Sequence, residues 1–290
     1  MDAATVFEPA DSESAVSESA DSAFADFESA VAESVAAPAL ALGFDAAADG
    51  QPLCLIVPGT ARHAVDAALA LHRCEELLAA LEGWCGSAPA WRWEPVAAAP
   101  STDARLALQS HDGFIHLLCT WAWLRTLPPP PPALAERLHW PAVPVVVGAG
   151  LLRLAASELQ QLEPRGAVVM PASMCAPWTG ALRAIDETAE GGIALDLGMP
   201  ATPRLLPRPA DLIAFGGGDV LCEVRLDAPA TLPGAQLAGW AEAELDLRPF
   251  DSRASLWRCA SAEAPALLLA SGRLLPWGDG QVLRLETVET

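Results

Sequence analysis

The chain has 290 residues, with 37 acidic side chains against 17 basic ones, all Arg, for a formal net charge of −20. That excess repels phosphate backbones and anionic membrane surfaces, so nucleic acid is excluded as a primary partner and direct membrane insertion is not expected. At 52% hydrophobic and 19% charged residues, the chain can bury a large core over two or three domains.

The acidity is uneven. Residues 1–50 hold 11 acids and no base, which leaves −9 on the other 240 residues. Residues 1–48 are near-repeats of Ala, Ser, Glu and Asp with too little large apolar surface to offset chain entropy, so a disordered acidic tail is expected there. Phe7, Phe24, Phe27 and Val31 offer a partner a short helical anchor, against the plainer reading of a solvated tail. The start lacks a basic region followed by an apolar run, so no secretory signal is expected. The most apolar stretch, residues 64–80, is interrupted by Asp66, His72, Arg73, Glu75 and Glu76, well short of a membrane span. Seven cysteines, at 54, 74, 85, 119, 175, 222 and 259, form no C-x-x-C pair and read as small buried hydrophobes kept reduced in a cytoplasm.

Residues 49–127 read as an N-terminal α/β domain. A strand is expected over residues 52–57, closed by Pro58 and Gly59, with Thr60 as cap of the next helix. Ala64, Ala67, Leu71, Cys74, Leu78 and Leu81 recur at steps of three and four, which places them on one helix face ending near Gly83. Trp91, Trp93, Leu106, Leu108 and residues 114–124 predict further strands. The proline run at residues 128–132 cannot be helix or inner strand, so residues 128–139 are expected to be a stiff linker.

Beyond it the pattern turns to short strands. Residues 143–147 and 167–170 predict strands around a helical turn at 155–162, and Ile193, Leu195 and Leu197 alternate as a half-buried strand should. Gly216, Gly217 and Gly218 read as a flexible joint, after which Val220, Cys222, Val224 and Leu226 alternate again. The restart is an internal repeat. A shift of 78 residues aligns Val146 with Val224, Leu154 with Leu232, Leu159 with Leu237, Leu162 with Trp240, Ala167 with Leu245 and Val169 with Leu247. The expected fold class is therefore α+β: the disordered tail, a mixed N-terminal domain, then two small mainly-β modules over residues 140–215 and 216–290.

Chemistry is sparse. Gly148-Ala149-Gly150 after an apolar stretch resembles the start of a dinucleotide-binding turn, but Arg153 stands where the third glycine belongs; a nucleotide-binding enzyme is the weakest alternative. His111, Asp112 and His116 are the densest polar cluster and lack a third ligand in a metal pattern. No catalytic, cofactor or metal site is assigned, and an enzyme is not expected. Trp240 and Trp277 sit near turns of the repeat and read either as core or as interface anchors.

Residues 140–148 and 154–170 resemble a SpoA module, an apolar strand ending in Gly followed by L-x-x-x-x-L-x-x-L-x-P-G-D and a hydrophobic strand; here Arg165 intervenes and Ala167 replaces the Asp. Residues 232–247 resemble the second copy more loosely, residues 268–285 are similar to that family's C-terminal ending, and residues 77–86 to its L-L-x-x-L-E-x-W segment. The ordered set is similar to the cytoplasmic-ring, or sorting-platform, proteins of type III secretion systems (the SctQ/HrcQ/YscQ family), relatives of the flagellar switch proteins FliM and FliN. The resemblance implies a structural adaptor, cytoplasmic and peripheral to the inner membrane, that links the membrane ring to the ATPase–stator complex and recruits export cargo. Its implied partners are the stator protein, an inner-ring adaptor, and its own C-terminal module or a fragment started internally at Met199. It also implies that the modules pair as intertwined β dimers; Leu154, Leu159, Leu162, Leu232, Leu237, Trp240, Leu245, Leu247 and Trp277 are the expected protein-interface residues. A flagellar switch component is the alternative.

Overall fold

The computed structural model describes residues 41–93, 103–111, 113–198, 203–227, 231–241, 243–245, 252–261 and 264–289. The tail expected before residue 41, Asp112, Met199 and Leu247 lie outside them.

The first sheet has six strands in the order β3-β1-β2-β5-β4-β6: β1 Ala41–Ala48, β2 Gln51–Pro58, β3 Arg92–Trp93, β4 Ala104–Ser110, β5 Gly113–Cys119 and β6 Leu138–His139. The tail expected to run to residue 48 thus ends earlier. Leu42 and Phe44 alternate into the core, and Asp49 and Gly50, both at positive φ, fold β1 back onto β2 as an Asp-Gly hairpin turn does. One apolar periodicity becomes two helices, α1 Ala64–His72 and α2 Glu75–Cys85, which break at Cys74. The cap is not Thr60: the Asp66 carboxylate reaches back to accept from the backbone N–H of Arg62 (3.0 Å) and His63 (3.2 Å). The helix also outruns Gly83, and Gly86 takes the left-handed end at φ 68°. Ala67, Ala70, Leu77, Leu78, Leu81 and Trp84 are the buried residues of the two helices.

After β5 the chain leaves the sheet through a helical turn rather than continuing as strand. This is α3, Trp121–Leu124, capped by Thr120, whose hydroxyl accepts from the Trp123 N–H at 3.2 Å. The expected linker is also more than a spacer. Pro132 opens α4, Pro132–Ala135, where its missing N–H costs nothing; Leu134 is buried, and β6 pairs with β4.

The remaining strands form one twelve-stranded sheet along the path β15-β11-β10-β9-β7-β13-β16-β17-β18-β8. They are β7 Ala142–Leu154, β8 Ala167–Met170, β9 Thr179–Ala184, β10 Ile193–Asp196, β11 Arg204–Pro209, β12 Ala214–Phe215, β13 Val220–Leu226, β14 Thr231–Pro233, β15 Ala243–Glu244, β16 Arg253–Arg258, β17 Leu267–Trp277 and β18 Gly280–Val288. Both β12 and β14 pair with β7 beside that path. Short helices α5 Ala156–Leu159, α6 Ala172–Cys175 and α7 Gly234–Leu237 connect them.

The path is a palindrome. If β7, β8, β9, β10 and β11 are matched in chain order with β13, β15, β16, β17 and β18, it reads the same from either end. The 78-residue shift of the repeat places α5 on α7 residue for residue. The two halves meet at the antiparallel β7–β13 pair, and each lends a strand to the other: β8 bonds to β18, and β15 to β11. A half with so few strands would expose long edges, and the exchange covers them.

Two glycine expectations change. Gly148-Ala149-Gly150 is not a turn, because β7 runs through it. A Cβ on Gly148 would strike Glu223 Oε1, and one on Gly150 would strike the Met174 methyl. Gly216 and Gly218 are a close backbone approach rather than a loose joint. A Cβ on Gly216 would overlap the Arg153 carbonyl oxygen and one on Gly218 the Leu154 carbonyl carbon, and Gly218 N–H donates to Arg153 O at 3.3 Å.

Candidate protein-interaction surfaces

Three bodies of structure meet at a buried chain of charges. Arg125, just past α3, forks onto Glu187, with Nη2 to Oε2 at 2.9 Å, and donates from Nε to the Leu237 carbonyl at 3.1 Å. Arg183 on β9 donates to the Glu187 backbone oxygen and forks onto Glu223 of β13. Arg225 completes the line with Nε to Glu223 Oε2 at 2.8 Å, its guanidinium 4.5 Å from the centre of the Trp257 ring. Glu223 is 0% and Arg183 1% exposed. The alternation in β13 puts Glu223 opposite Cys222 and Val224, where a solvent face is expected; Gly148 leaves the room that lets the carboxylate lie inward instead. Asp103 stands nearby and accepts from the Trp121 N–H at 2.8 Å; burial pushes its carboxyl up, and Glu187 adds to that.

A tryptophan cluster closes the same junction. Trp240 lies edge-on to Trp84 and to Trp140, with centroids 5.5 Å apart in both cases, and Trp140 stacks on Trp121 at 6.1 Å. Trp240 Nε1 donates to Leu127 O at 3.1 Å and Trp84 Nε1 to Pro128 O at 2.8 Å, so the start of the proline run is held by two indoles. Gly234 lets α7 sit against the Trp140 ring.

These contacts sort the residues singled out from the sequence. Leu237 and Leu245 are buried in the core, and Leu154, Leu159, Leu162, Leu232 and Trp240 are partly buried and packed against it. All seven make contacts within the chain, Trp240 with both Trp84 and Trp140. Trp277 differs: it stands 66% exposed at the tip of the β17–β18 hairpin.

The outer face of that hairpin was not singled out from the sequence. Arg253, Arg273 and Arg284 stand directly opposite one another across β16, β17 and β18, and Ala167 of β8 continues the row. The signal is visible only once the strands are in register, since the arginines are scattered along the chain. Alternate residues of a strand share a face, so Leu275 and Trp277 lie on the side of Arg273, and Val169 on the side of Ala167. Val169 is 54% exposed.

His116 accepts from Arg105 Nε at 3.3 Å, and burial, then Arg105, pushes its ring below the usual range. Among the described residues no group of three or more His, Cys, Asp or Glu could hold a metal ion. Cys54, Cys74, Cys119, Cys222 and Cys259 are buried, and Cys85 and Cys175 partly so. Burial pushes the thiols of Cys54, Cys85 and Cys222 up to about 11 and that of Cys259 up to about 12, with Asp45, Asp49 and Glu223 adding at Cys54, Cys85 and Cys259. Unfolded thiols ionise near 9. The folded chain keeps those protons, so its stability falls as pH rises from 9 towards 12. A urea midpoint that drops between pH 8 and pH 10, together with slow native labelling by a thiol reagent at pH 8, is the expected pair of results.

Compared with known protein families, curated proteins and solved structures, the chain matches none of them. Among the described residues no helix is long and apolar enough to cross a membrane.

Proposed function

We propose that the chain is a non-catalytic assembly subunit, an adaptor of the sorting platform of a type III secretion system, built from an N-terminal domain and two SpoA-type modules. The observation that supports it is the palindromic sheet with exchanged end strands, the arrangement that paired, intertwined SpoA modules would produce from one chain. The resemblance in residues 140–170 and 232–247 points the same way. In this reading the N-terminal sheet faces the inner-ring adaptor. The paired modules bind the ATPase stator protein and present the platform to export cargo, at the cytoplasmic face of the inner membrane. The internal start at Met199 would supply a fragment able to pair with a second copy of the first module.

The test is complex formation. The full chain, mixed with the stator protein and secretion ATPase of its source organism, is expected to co-elute with both from a sizing column. Separate elution at micromolar concentrations, or a source organism without a secretion ATPase, would overturn the proposal.

A further inference from the structure

In a chain of net charge −20, the outer face of β16, β17 and β18 is locally basic. Arg253, Arg273 and Arg284 are exposed and stand side by side, and Arg165 precedes β8 next to them, its N–H bonded to Leu285 O at 2.9 Å. Like charges directly opposite on neighbouring strands repel, so such a row persists at a cost to the isolated fold. Glu286 meets Arg273 at 3.3 Å, an exposed pair that offsets part of one charge. Among the described residues Arg165, Arg253 and Arg284 form no ion pair.

The row also has a shape. Arg165, Arg273, Leu275, Arg284, Leu285 and Glu286 line a shallow depression of about 590 Å³. Apolar side chains flank it on the same face: exposed Val169 and half-buried Leu275, with the buried Val282 between them in register, then Trp277 exposed at the hairpin tip. Guanidiniums in a fixed row suit carboxylates, which they grip bidentately, and an exposed tryptophan beside them is the residue type that anchors interfaces.

We propose that this face docks an acidic peptide segment of another protein, with carboxylates on Arg165, Arg273 and Arg284 and an apolar side chain against Leu275, Val169 and Trp277. The occupant follows from complementarity of both kinds. A nucleic-acid backbone or an anionic bilayer meets the chain's whole negative charge and has no use for the apolar row. A short segment carries few charges, is screened within about 8 Å at physiological salt, and uses both rows. The inference is independent of the secretion-platform reading, since it uses only this face.

The experiment takes the full chain and a fluorescent peptide of alternating Glu and Leu with one Trp, read by anisotropy at low and high salt. Its Gln-for-Glu counterpart, an oligothymidylate and phosphatidylserine vesicles are the other probes. The Glu peptide is expected to bind, more weakly at high salt, and the Gln peptide about tenfold more weakly than the Glu peptide. Arg284→Glu and Arg165→Glu are each expected to weaken the Glu peptide about tenfold, and Arg62→Glu, an equal change of net charge in the N-terminal domain, to leave it unchanged. Trp277→Ser is expected to weaken both peptides. Should a charge reversal disturb the fold by circular dichroism, Arg284→Gln, expected to weaken binding about threefold, takes its place. No binding of the Glu peptide, equal binding by Arg284→Glu or its substitute, or tighter binding of the oligonucleotide or vesicles than of the peptide would overturn the proposal.

Discussion

Replacing Glu223 with Gln is expected to cost about 3–5 kcal/mol of folding stability, because Arg183 then stays buried beside an uncharged partner. The loss is read from urea unfolding at neutral pH; a change below about 1 kcal/mol would mean that the pair is solvated like a surface ion pair. The cost of breaking this pair is not its net contribution. Taking Arg183, Glu223 and Arg225 out of water offsets much of their mutual attraction, so replacing Arg183 and Glu223 together with Met and Leu is expected to cost far less than the single change. What the pair supplies is placement. Arg183 sits on β9 and Glu223 on β13, on either side of β7, and Gly148 between them is the position where a side chain would block the bridge. A one-residue slip of β7 against β13 would put Val147 or Ala149 there and strand both charges.

Trp240→Ala is the second large effect, with an expected loss of about 3–5 kcal/mol. The side chain packs against Trp84 and Trp140 and satisfies the Leu127 carbonyl, so its removal opens a cavity and orphans a backbone acceptor at one stroke. Because that cluster, with Arg125 and Glu187, joins the six-stranded sheet to the twelve-stranded one, the variant is expected to unfold in two calorimetric steps where the parent unfolds in one. A single transition, lowered by only a degree or two, would show that the junction does not couple the sheets.

Where the chemistry is local, the amino-acid order announces the structure. The apolar run at residues 52–57 and the alternation from Val220 to Leu226 appear as β2 and β13, and the 78-residue shift lays α5 on α7. The limits are equally physical. β1 is hidden because Leu42 and Phe44 follow an Ala-, Ser- and acid-rich segment whose average composition masks them. The division of α1 from α2 is a backbone event at Cys74 that leaves the three–four spacing almost intact. Glu223 reads as a solvent-facing acid until β9 brings Arg183 over it. The arginine row needs three strands in register before it exists at all. Of the described residues singled out for interfaces, Leu237 and Leu245 are buried and Leu154, Leu159, Leu162, Leu232 and Trp240 pack partly buried against the core, and large apolar side chains at repeat positions do not distinguish a partner in another chain from one in the other half of the same chain. Among those of them that the structure describes, Trp277 alone is exposed.

The pairing of β8 with β18 has a consequence in time. The hydrogen-bonding groups of β8 find their partner only in a strand that follows it by more than a hundred residues. At ribosomal rates of about 5–20 residues per second, the first half therefore waits on the order of ten seconds with that edge open. Its pairing is among the most sequence-distant in the molecule, so closure pays a large loop entropy before any contact repays it. During that interval the nascent chain is open to an intruding strand from a neighbouring polypeptide, and the rate of translation through residues 171–280 sets how long the opportunity lasts.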